Sequence, residues 1–93
     1  MIDIRTAARR DLDRIADYGL STYGTDAAIA YQRGLNRLFL SLHAESGMGR
    51  RELVGEGVRS FPYKAHRVFY RMEGDTLVIL RVLSPRQETP DQV

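Results

Sequence analysis

Side chains suited to covalent or metal-assisted chemistry are few and scattered in this sequence. It has no cysteine, and its two histidines, His43 and His66, stand apart with no carboxylate at a fixed spacing. Nucleophilic catalysis needs a nucleophile beside a base, and zinc sites need clustered ligands. The glycines at 55 and 57 lack the helix and the Lys-Ser/Thr pair of a phosphate loop. The sequence therefore predicts no catalytic residue, no metal site and no cofactor, and we interpret His66 as a buried or half-buried histidine bonded to the backbone.

Arginine is the residue type that remains as a binding group. Thirteen of the fourteen basic residues are arginines, and the net charge of the chain is +2. The segment 58–86 has a net charge of +4, because two acidic residues there accompany six basic ones, Arg59, Lys64, Arg67, Arg71, Arg81 and Arg86. Guanidinium groups suit carboxylates and phosphates. The segment is either an ordinary solvated face or, as we favour, a surface for an acidic protein, a nucleic acid or an RNA-bearing machine.

The first half of the chain has the pattern of a short strand and two helices. Ile2 and Ile4 alternate with polar residues. Thr6 is the predicted N-cap of a first helix that ends at Gly24, and Thr25 or Asp26 is the predicted cap of a second one. So short a connection predicts an antiparallel hairpin, with Gly34 at a close approach of the two helices. The apolar stripes are Ala8, Leu12, Ile15, Gly19 and Tyr23, then Ala28, Tyr31, Leu35, Leu38 and Leu42.

The second half has the pattern of a sheet. After a glycine-rich loop at 44–57, apolar residues alternate over 58–61, 66–72 and 76–83, with turns at 62–65 and 73–75, which predicts three antiparallel strands. In the last strand, alternation places Val78, Leu80 and Val82 on one face and Leu77, Ile79, Arg81 and Leu83 on the other. One face meets the hairpin, and we expect the face with Arg81 to be an open apolar stripe for a partner. The predicted core is Leu12, Ile15, Tyr31, Leu35, Leu38, Val68, Val78, Leu80 and Val82, and the tyrosines, Tyr18 and Tyr23 included, are interpreted as core.

Length and composition place the chain in a broad class. It has 93 residues, 43% of them hydrophobic, which predicts one small α+β domain over 1–93 with a flexible tail at 87–93. Its longest apolar runs are far below the roughly 20 residues of a membrane span, and residues 1–4 do not read as a signal peptide. We therefore expect a cytoplasmic protein with no membrane partner.

In several motifs the chain resembles the ParE-like toxins of bacterial type II toxin–antitoxin pairs, within the RelE/ParE group. The likeness spans nearly the whole chain, and the order of the motifs is more specific than any one of them. The motifs are Ala8 with Asp11-Leu12 and Ile15, Tyr23-Gly24 with Ala28 and Tyr31, Gly49-Arg50, Gly57-Val58-Arg59-Ser60-Phe61-Pro62, His66-Arg67-Val68-Phe69-Tyr70-Arg71, and Ile79-Leu80-Arg81-Val82-Leu83 followed by Arg86.

The resemblance implies one curved sheet with a helical hairpin, and a toxin held inactive by a co-encoded, ParD-like antitoxin that wraps the sheet and the hairpin. It also implies DNA gyrase as the target, captured by binding rather than by catalysis, with no direct nucleic-acid binding without a partner. The open stripe and its basic edge predict the antitoxin-binding residues Leu77, Ile79, Arg81, Arg59, Arg67 and Arg71. An aliphatic residue between two arginines is typical of an interface hot spot, which predicts the target-binding residues Arg81, Leu83 and Arg86.

Two other functions stay open. In a RelE-like nuclease that cuts messenger RNA on the ribosome, arginines position the scissile phosphate, and Arg67 and Arg86 lie near the positions used there. Against that reading, the expected lysines around 58–60 and a tyrosine after Arg86 are absent, and the prolines after Leu83 exclude a C-terminal helix. The chain also has Ser84-Pro85 where the family usually has histidine, which leaves a non-toxic antitoxin-binding module as the third reading.

Overall fold

Two helices pack on one face of a five-stranded sheet in the computed structural model, which describes residues 1–85. Arg86 and the tail at 87–93 lie outside the described residues. The helices are α1, Thr6–Tyr23, and α2, Thr25–Ala44, and a short 3-10 helix follows at Ser46–Met48. The strands are β1, Ile2–Ile4, β2, Arg50–Arg51, β3, Arg59–Tyr63, β4, His66–Glu73, and β5, Thr76–Leu83.

The predicted α+β class is confirmed, and the sheet has more strands than the three-stranded run at its centre. The order is β1-β5-β4-β3-β2, with β1 parallel to β5 and every other pair antiparallel. The segment 44–57 was expected to be a loop, but it contributes β2, where Arg50 lies opposite Ser60 and Arg51 opposite Arg59. A strand of two residues is too short to show an alternating pattern.

Gly24 alone forms the joint between the two helices. Its φ of 93° is open to glycine at no steric cost. Its N–H donates to the Leu20 carbonyl at 3.2 Å, and its own carbonyl accepts from the Ala28 N–H at 3.1 Å. The predicted caps Thr6, Thr25 and Asp26 were wrong, since Arg5 and Gly24 hold the N-cap positions and no side chain caps either helix.

Gly34 makes room for the sheet rather than for α1. A Cβ on Gly34 would overlap the hydroxyl of Tyr63, whereas a Cβ on Gly19 would lie at an ordinary 3.7 Å from the Cβ of Ala28. The close approach of the helices is therefore at Gly19, and the prediction for Gly34 was wrong in its partner. Tyr63, predicted to lie in a turn, is the last residue of β3 and packs edge-on against Tyr31, with ring centroids 5.1 Å apart.

A β-bulge in β5 reverses the faces that simple alternation predicts for the residues after it. Tyr70 pairs with Ile79 and Phe69 with Arg81, so Leu80 is an extra residue without a partner opposite it. Val82 consequently lies on the same face as Leu77 and Ile79, and all three join the core beneath the helices with Leu35, Phe39 and Leu42. On the opposite face of the sheet, Val58, Phe69, Val78, Leu80 and Leu83 form a second buried cluster.

The predicted core is confirmed in its sheet and second-helix residues. Leu35, Val68, Val78, Leu80 and Val82 are buried, and Leu12, Ile15, Tyr31 and Leu38 are half-buried against the core. Tyr18 and Tyr23 were wrongly interpreted as core, because they are 64% and 69% exposed at the hairpin tip, where their rings stack edge to face.

Candidate functional site

The predicted interface residue Arg81 is bound to a buried carboxylate within the chain. Its Nε donates to Asp11 Oδ2 at 2.8 Å and its Nη2 to Asp11 Oδ1 at 3.0 Å. This bidentate hydrogen bonding raises the pKa of the Arg81 guanidinium. Arg14 adds a third guanidinium contact to the same carboxylate, whose side chain is 1% exposed. Arg81 is therefore a structural residue of the α1–β5 junction.

The Asp11 carboxylate also completes the edge of the sheet. The parallel partner β1 ends at Ile4, and the Arg5 N–H makes the last bond on that side, to the Ile79 carbonyl at 3.0 Å. Beyond it, the Val82 N–H donates to Asp11 Oδ2 at 2.9 Å. We did not predict this role of Asp11 from the sequence. The sequence does contain a signal for it, because Asp11 follows Ala8 by three residues and precedes Ile15 by four, which places a carboxylate on the apolar stripe of the helix.

A second polar network lies where β2, β3 and β4 meet. The Ser60 hydroxyl donates to Glu52 Oε2 at 2.5 Å and accepts from Arg67 Nη1 at 2.8 Å. The Arg50 Nε donates to the same Glu52 oxygen at 2.7 Å. Burial raises the pKa of the Glu52 carboxyl, but the hydrogen bonds from Ser60 and Arg50 outweigh it and hold that pKa below its ordinary value.

Arg59 and Arg71 also donate within the chain. The Arg59 Nη1 bonds the Gly49 carbonyl at 2.8 Å, beside the Gly49 N–H that donates to the Tyr70 hydroxyl at 2.9 Å. The Arg71 Nε donates to Glu73 Oε2 at 2.8 Å, and Arg5 shares that carboxylate. Each arginine of the basic segment within residues 58–85 thus donates a hydrogen bond to another group of the chain.

The predicted open apolar stripe does not exist. Leu77 and Ile79 are 0% exposed beneath the helices, and Leu83 is 4% exposed on the opposite face. Alternation shows which residues share a face but not which face the helices cover, and the bulge at Leu80 moves Leu83 to the face opposite Leu77 and Ile79. The predicted set is therefore divided: Arg67 and Arg71 lie on the face opposite the helices, Leu77 and Ile79 lie in the core, and Arg86 lies outside the described residues.

Exposed apolar surface is found on the helical hairpin instead. Leu20 is 53% and Ile29 45% exposed, and both line a groove between α1 and α2 with Ala16, Ala28 and Arg33. A groove of this kind fits an apolar partner segment better than a polar small molecule.

His66 belongs to an aromatic cluster at the turn between β3 and β4. Its Nδ1 lies 2.5 Å from the hydroxyl of Tyr31, which also lies 3.3 Å from the Tyr63 carbonyl. Burial lowers the pKa of His66, an effect that the nearby Asp11 charge offsets only in part, and burial raises the pKa of Tyr31. The partner of the imidazole is thus the Tyr31 hydroxyl, so the predicted partner, a backbone group, was wrong.

Comparison with known proteins agrees with this architecture. Residues 2–89 match the family model described as the ParE toxin of the type II toxin–antitoxin system, parDE. Toxin ParE3 of Caulobacter vibrioides is 33% identical over 84 residues, which are 89% of this chain and 84% of that protein. A chain from the chromosomal ParDE system of P. aeruginosa is similar in fold, with a TM-score of 0.76, 24% identity, and coverage of 89% of this chain and 92% of the other.

The chain belongs to the ParE toxin family. It is the toxin of a type II pair, and such a system implies a cognate antitoxin as its partner. Within residues 1–85, neither helix is apolar enough over a sufficient length to cross a bilayer.

Proposed function

We propose that this toxin inhibits DNA gyrase by stoichiometric binding and has no nuclease centre. Membership of the ParE family and the sequence resemblance support the choice of target. Because gyrase acts on the bacterial chromosome, the proposal places the toxin in the cytoplasm. The cognate antitoxin would release the block by holding the toxin in an inactive complex.

The observation that carries the choice of binding over cleavage is the engagement of the arginines. A ribosome-dependent nuclease needs several free cations around the scissile phosphate. Here Arg59 bonds the Gly49 carbonyl, Arg67 bonds Ser60 and Arg81 bonds Asp11. Freeing each guanidinium for a phosphate would leave its present acceptor without that donor. Cleavage would therefore oppose the stability of the sheet, whereas inhibition by binding needs no such change.

The antitoxin site that we propose differs from the one predicted by strand alternation. We assign it to the hairpin groove with Leu20 and Ile29 and to the basic side of the sheet with Arg67 and Arg71. The resemblance implies an antitoxin that wraps both elements; Leu20 and Ile29 are exposed apolar side chains of the hairpin, and Arg67 and Arg71 are half-buried basic side chains of the sheet. Of the predicted target contacts, we retain Arg86. We no longer assign Arg81 to the target, because it holds the Asp11 carboxylate within the chain.

The test compares two targets with the same purified toxin. We expect inhibition of supercoiling by purified gyrase at near-stoichiometric toxin, reversed by the antitoxin, and no cleavage of messenger RNA on programmed ribosomes. Arg86→Ala should weaken the inhibition of gyrase without lowering the unfolding midpoint. Cleavage of messenger with unimpaired supercoiling would overturn the proposal and favour the RelE-like nuclease, and loss of both activities with intact antitoxin binding would favour the non-toxic module.

A further inference from the structure

Glu52 occupies a site built to hold a carboxylate. Its side chain is 13% exposed and receives a hydrogen bond from the hydroxyl of Ser60, a residue only 1% exposed, and another from Arg50. Arg67 fixes the Ser60 hydroxyl from the other side, at 2.8 Å. Two arginines and an oriented hydroxyl around one carboxylate are a charge-assisted arrangement, stronger than neutral hydrogen bonds.

The segment that brings Glu52 to this site is held by few other contacts. The strand β2 before it has two residues, and the Glu52 N–H makes one further ladder bond, to the Val58 carbonyl at 2.9 Å. Val54 packs on the opposite-face cluster, while the neighbouring Leu53 is fully exposed. Gly57, with a φ of 72°, gives the return turn. Residues 52–57 can therefore leave the sheet without disturbing the main core.

We propose that Glu52 is an internal occupant of a carboxylate-binding site, and that an Asp or Glu side chain of the antitoxin takes its place when residues 52–57 lift. The identity of the partner rests on the proposed function, and the class of ligand rests on the present occupant. Charge complementarity favours the same partner, because Ser60 and Arg67 of the site belong to the segment 58–86, which has a net charge of +4. Departure of Glu52 without a replacement would leave Ser60, Arg50 and Arg67 without an anion.

An internal competitor weakens the binding of an external ligand. The apparent affinity equals the intrinsic affinity multiplied by the fraction of molecules in which the site is open. Glu52→Gln keeps an oxygen that accepts from Ser60 but removes the charge that attracts Arg50 and Arg67. We expect this variant to bind an external carboxylate about three- to tenfold more tightly than the wild type. Glu56→Gln is the matched control, since it changes the charge of the same segment by the same amount at an exposed side chain.

The experiment titrates a hexaglutamate peptide into the full chain, as wild type, Glu52→Gln and Glu56→Gln, at low ionic strength by calorimetry. The expected result is tighter binding by Glu52→Gln alone, which a further Arg67→Ala change abolishes. Faster amide hydrogen exchange over residues 52–58 in Glu52→Gln than in Glu56→Gln would show the release of the segment. Equal affinities of the two variants, or inorganic phosphate bound more tightly than the peptide, would overturn the proposal.

The same variants separate this inference from the proposed function. If the antitoxin binds all three proteins with one affinity, the inference fails and the function stands. If the antitoxin binds none of them, the proposed antitoxin site fails, while the gyrase assay decides the proposed target and the peptide and exchange measurements still decide the carboxylate site. An unchanged unfolding midpoint in Glu52→Gln excludes general loosening as the cause of tighter peptide binding, and a lowered midpoint with equal exchange over 52–58 counts against the proposal.

Discussion

At the scale of single residues, Asp11 is a buried carboxylate that accepts hydrogen bonds from several donors. Its carboxylate accepts from Arg81, Arg14 and the Val82 N–H. A buried charge is tolerated only where partners replace its lost hydration, and removing one member of such a set leaves the others unpaired. Asp11 thus joins α1 to the part of β5 that β1 does not reach.

Asp11→Ala should lower the free energy of unfolding by about 2–4 kcal/mol, because it leaves the Arg81 guanidinium and the Val82 N–H without an acceptor. Denaturant titration followed by circular dichroism measures the loss. Asp13→Ala, an exposed change of the same kind on the same helix, should stay within about 0.5 kcal/mol of the wild type. Equal effects of the two substitutions would contradict the structural role of Asp11.

His66 makes the stability dependent on pH in a defined window. Burial lowers its pKa in the folded chain below the ordinary 6.5, so the unfolded chain binds more protons just below that value. Stability should therefore fall as the pH decreases from about 6.5 through the folded pKa of His66. The carboxyl groups of Glu52 and Glu73 affect the stability at lower pH. Their pKa values in the folded chain lie below 4.5, so their contributions to stability are present above that pH and are lost as the pH falls through the folded pKa values.

The prediction for His66 is that the unfolding midpoint decreases between about pH 7.5 and about pH 5.5, and that His66→Gln flattens this decrease. The amide oxygen of glutamine can accept from Tyr31 but does not titrate. An NMR titration of the imidazole gives the pKa directly. A ring that titrates at or above 6.5 would contradict the sign of the effect.

At the scale of elements, the parts with regular periods were predictable. The stripe of Leu35 and Leu38 predicted α2, and the alternation around Val68 and Val78 predicted β4 and β5. The bulge at Leu80 was not predictable, because one extra residue in a strand leaves no mark on the apolar alternation. Alternation grouped Leu77 with Ile79 correctly but could not show that the helices cover this face. The inserted residue exchanged the face of Leu83, which follows it, so all three site residues were assigned to the wrong surroundings.

Short strand pairings and the tertiary contacts of single residues could not be predicted from the sequence either. The strand β2 has no period of its own and exists because Ser60 and Arg59 offer it an edge. Gly34 signalled a close contact, but only the fold shows that Tyr63 makes it. The sequence shows that the second half of the chain is rich in arginine. It does not show that Glu52, Glu73 and Asp11 bind arginines, because these ion pairs depend on how the strands and helices are placed in the fold.

Substitution of Gly34 tests the packing of α2 on β3, and substitution of Gly19, which faces α2 from α1, is the control. Gly34→Ala should destabilise the fold by about 1–3 kcal/mol, because the new Cβ overlaps the Tyr63 side chain and this exceeds the gain of about 1 kcal/mol in helix propensity. Gly19→Ala meets only the Ala28 Cβ at 3.7 Å and should stabilise by up to about 1 kcal/mol. Thermal unfolding measures both. Adding Tyr63→Phe should recover part of the loss in Gly34→Ala; no recovery would place the strain elsewhere.

At the scale of the whole molecule, the two sides of the sheet have different tasks. One side is closed by the helices, whose outer groove exposes Leu20 and Ile29. The other side holds a smaller apolar cluster with Arg67 and Arg71 nearby, each bonded to a neighbouring side chain. A partner that contacts both sides would cover apolar surface and meet positive charge in one complex.

Binding of the antitoxin should therefore both stabilise the toxin and depend on salt. At an antitoxin concentration about 100 times the dissociation constant, linkage adds about 2.7 kcal/mol to the unfolding free energy, which raises the melting temperature on the order of 10 °C. Association should slow several-fold between about 0.05 and about 0.5 M salt, because screening weakens the attraction between the basic segment and acidic residues of the partner. Calorimetry and stopped-flow fluorescence measure the two effects. A scrambled antitoxin segment of equal charge should give no thermal protection. Protection that is unaffected by salt would show that the contact excludes the basic side of the sheet.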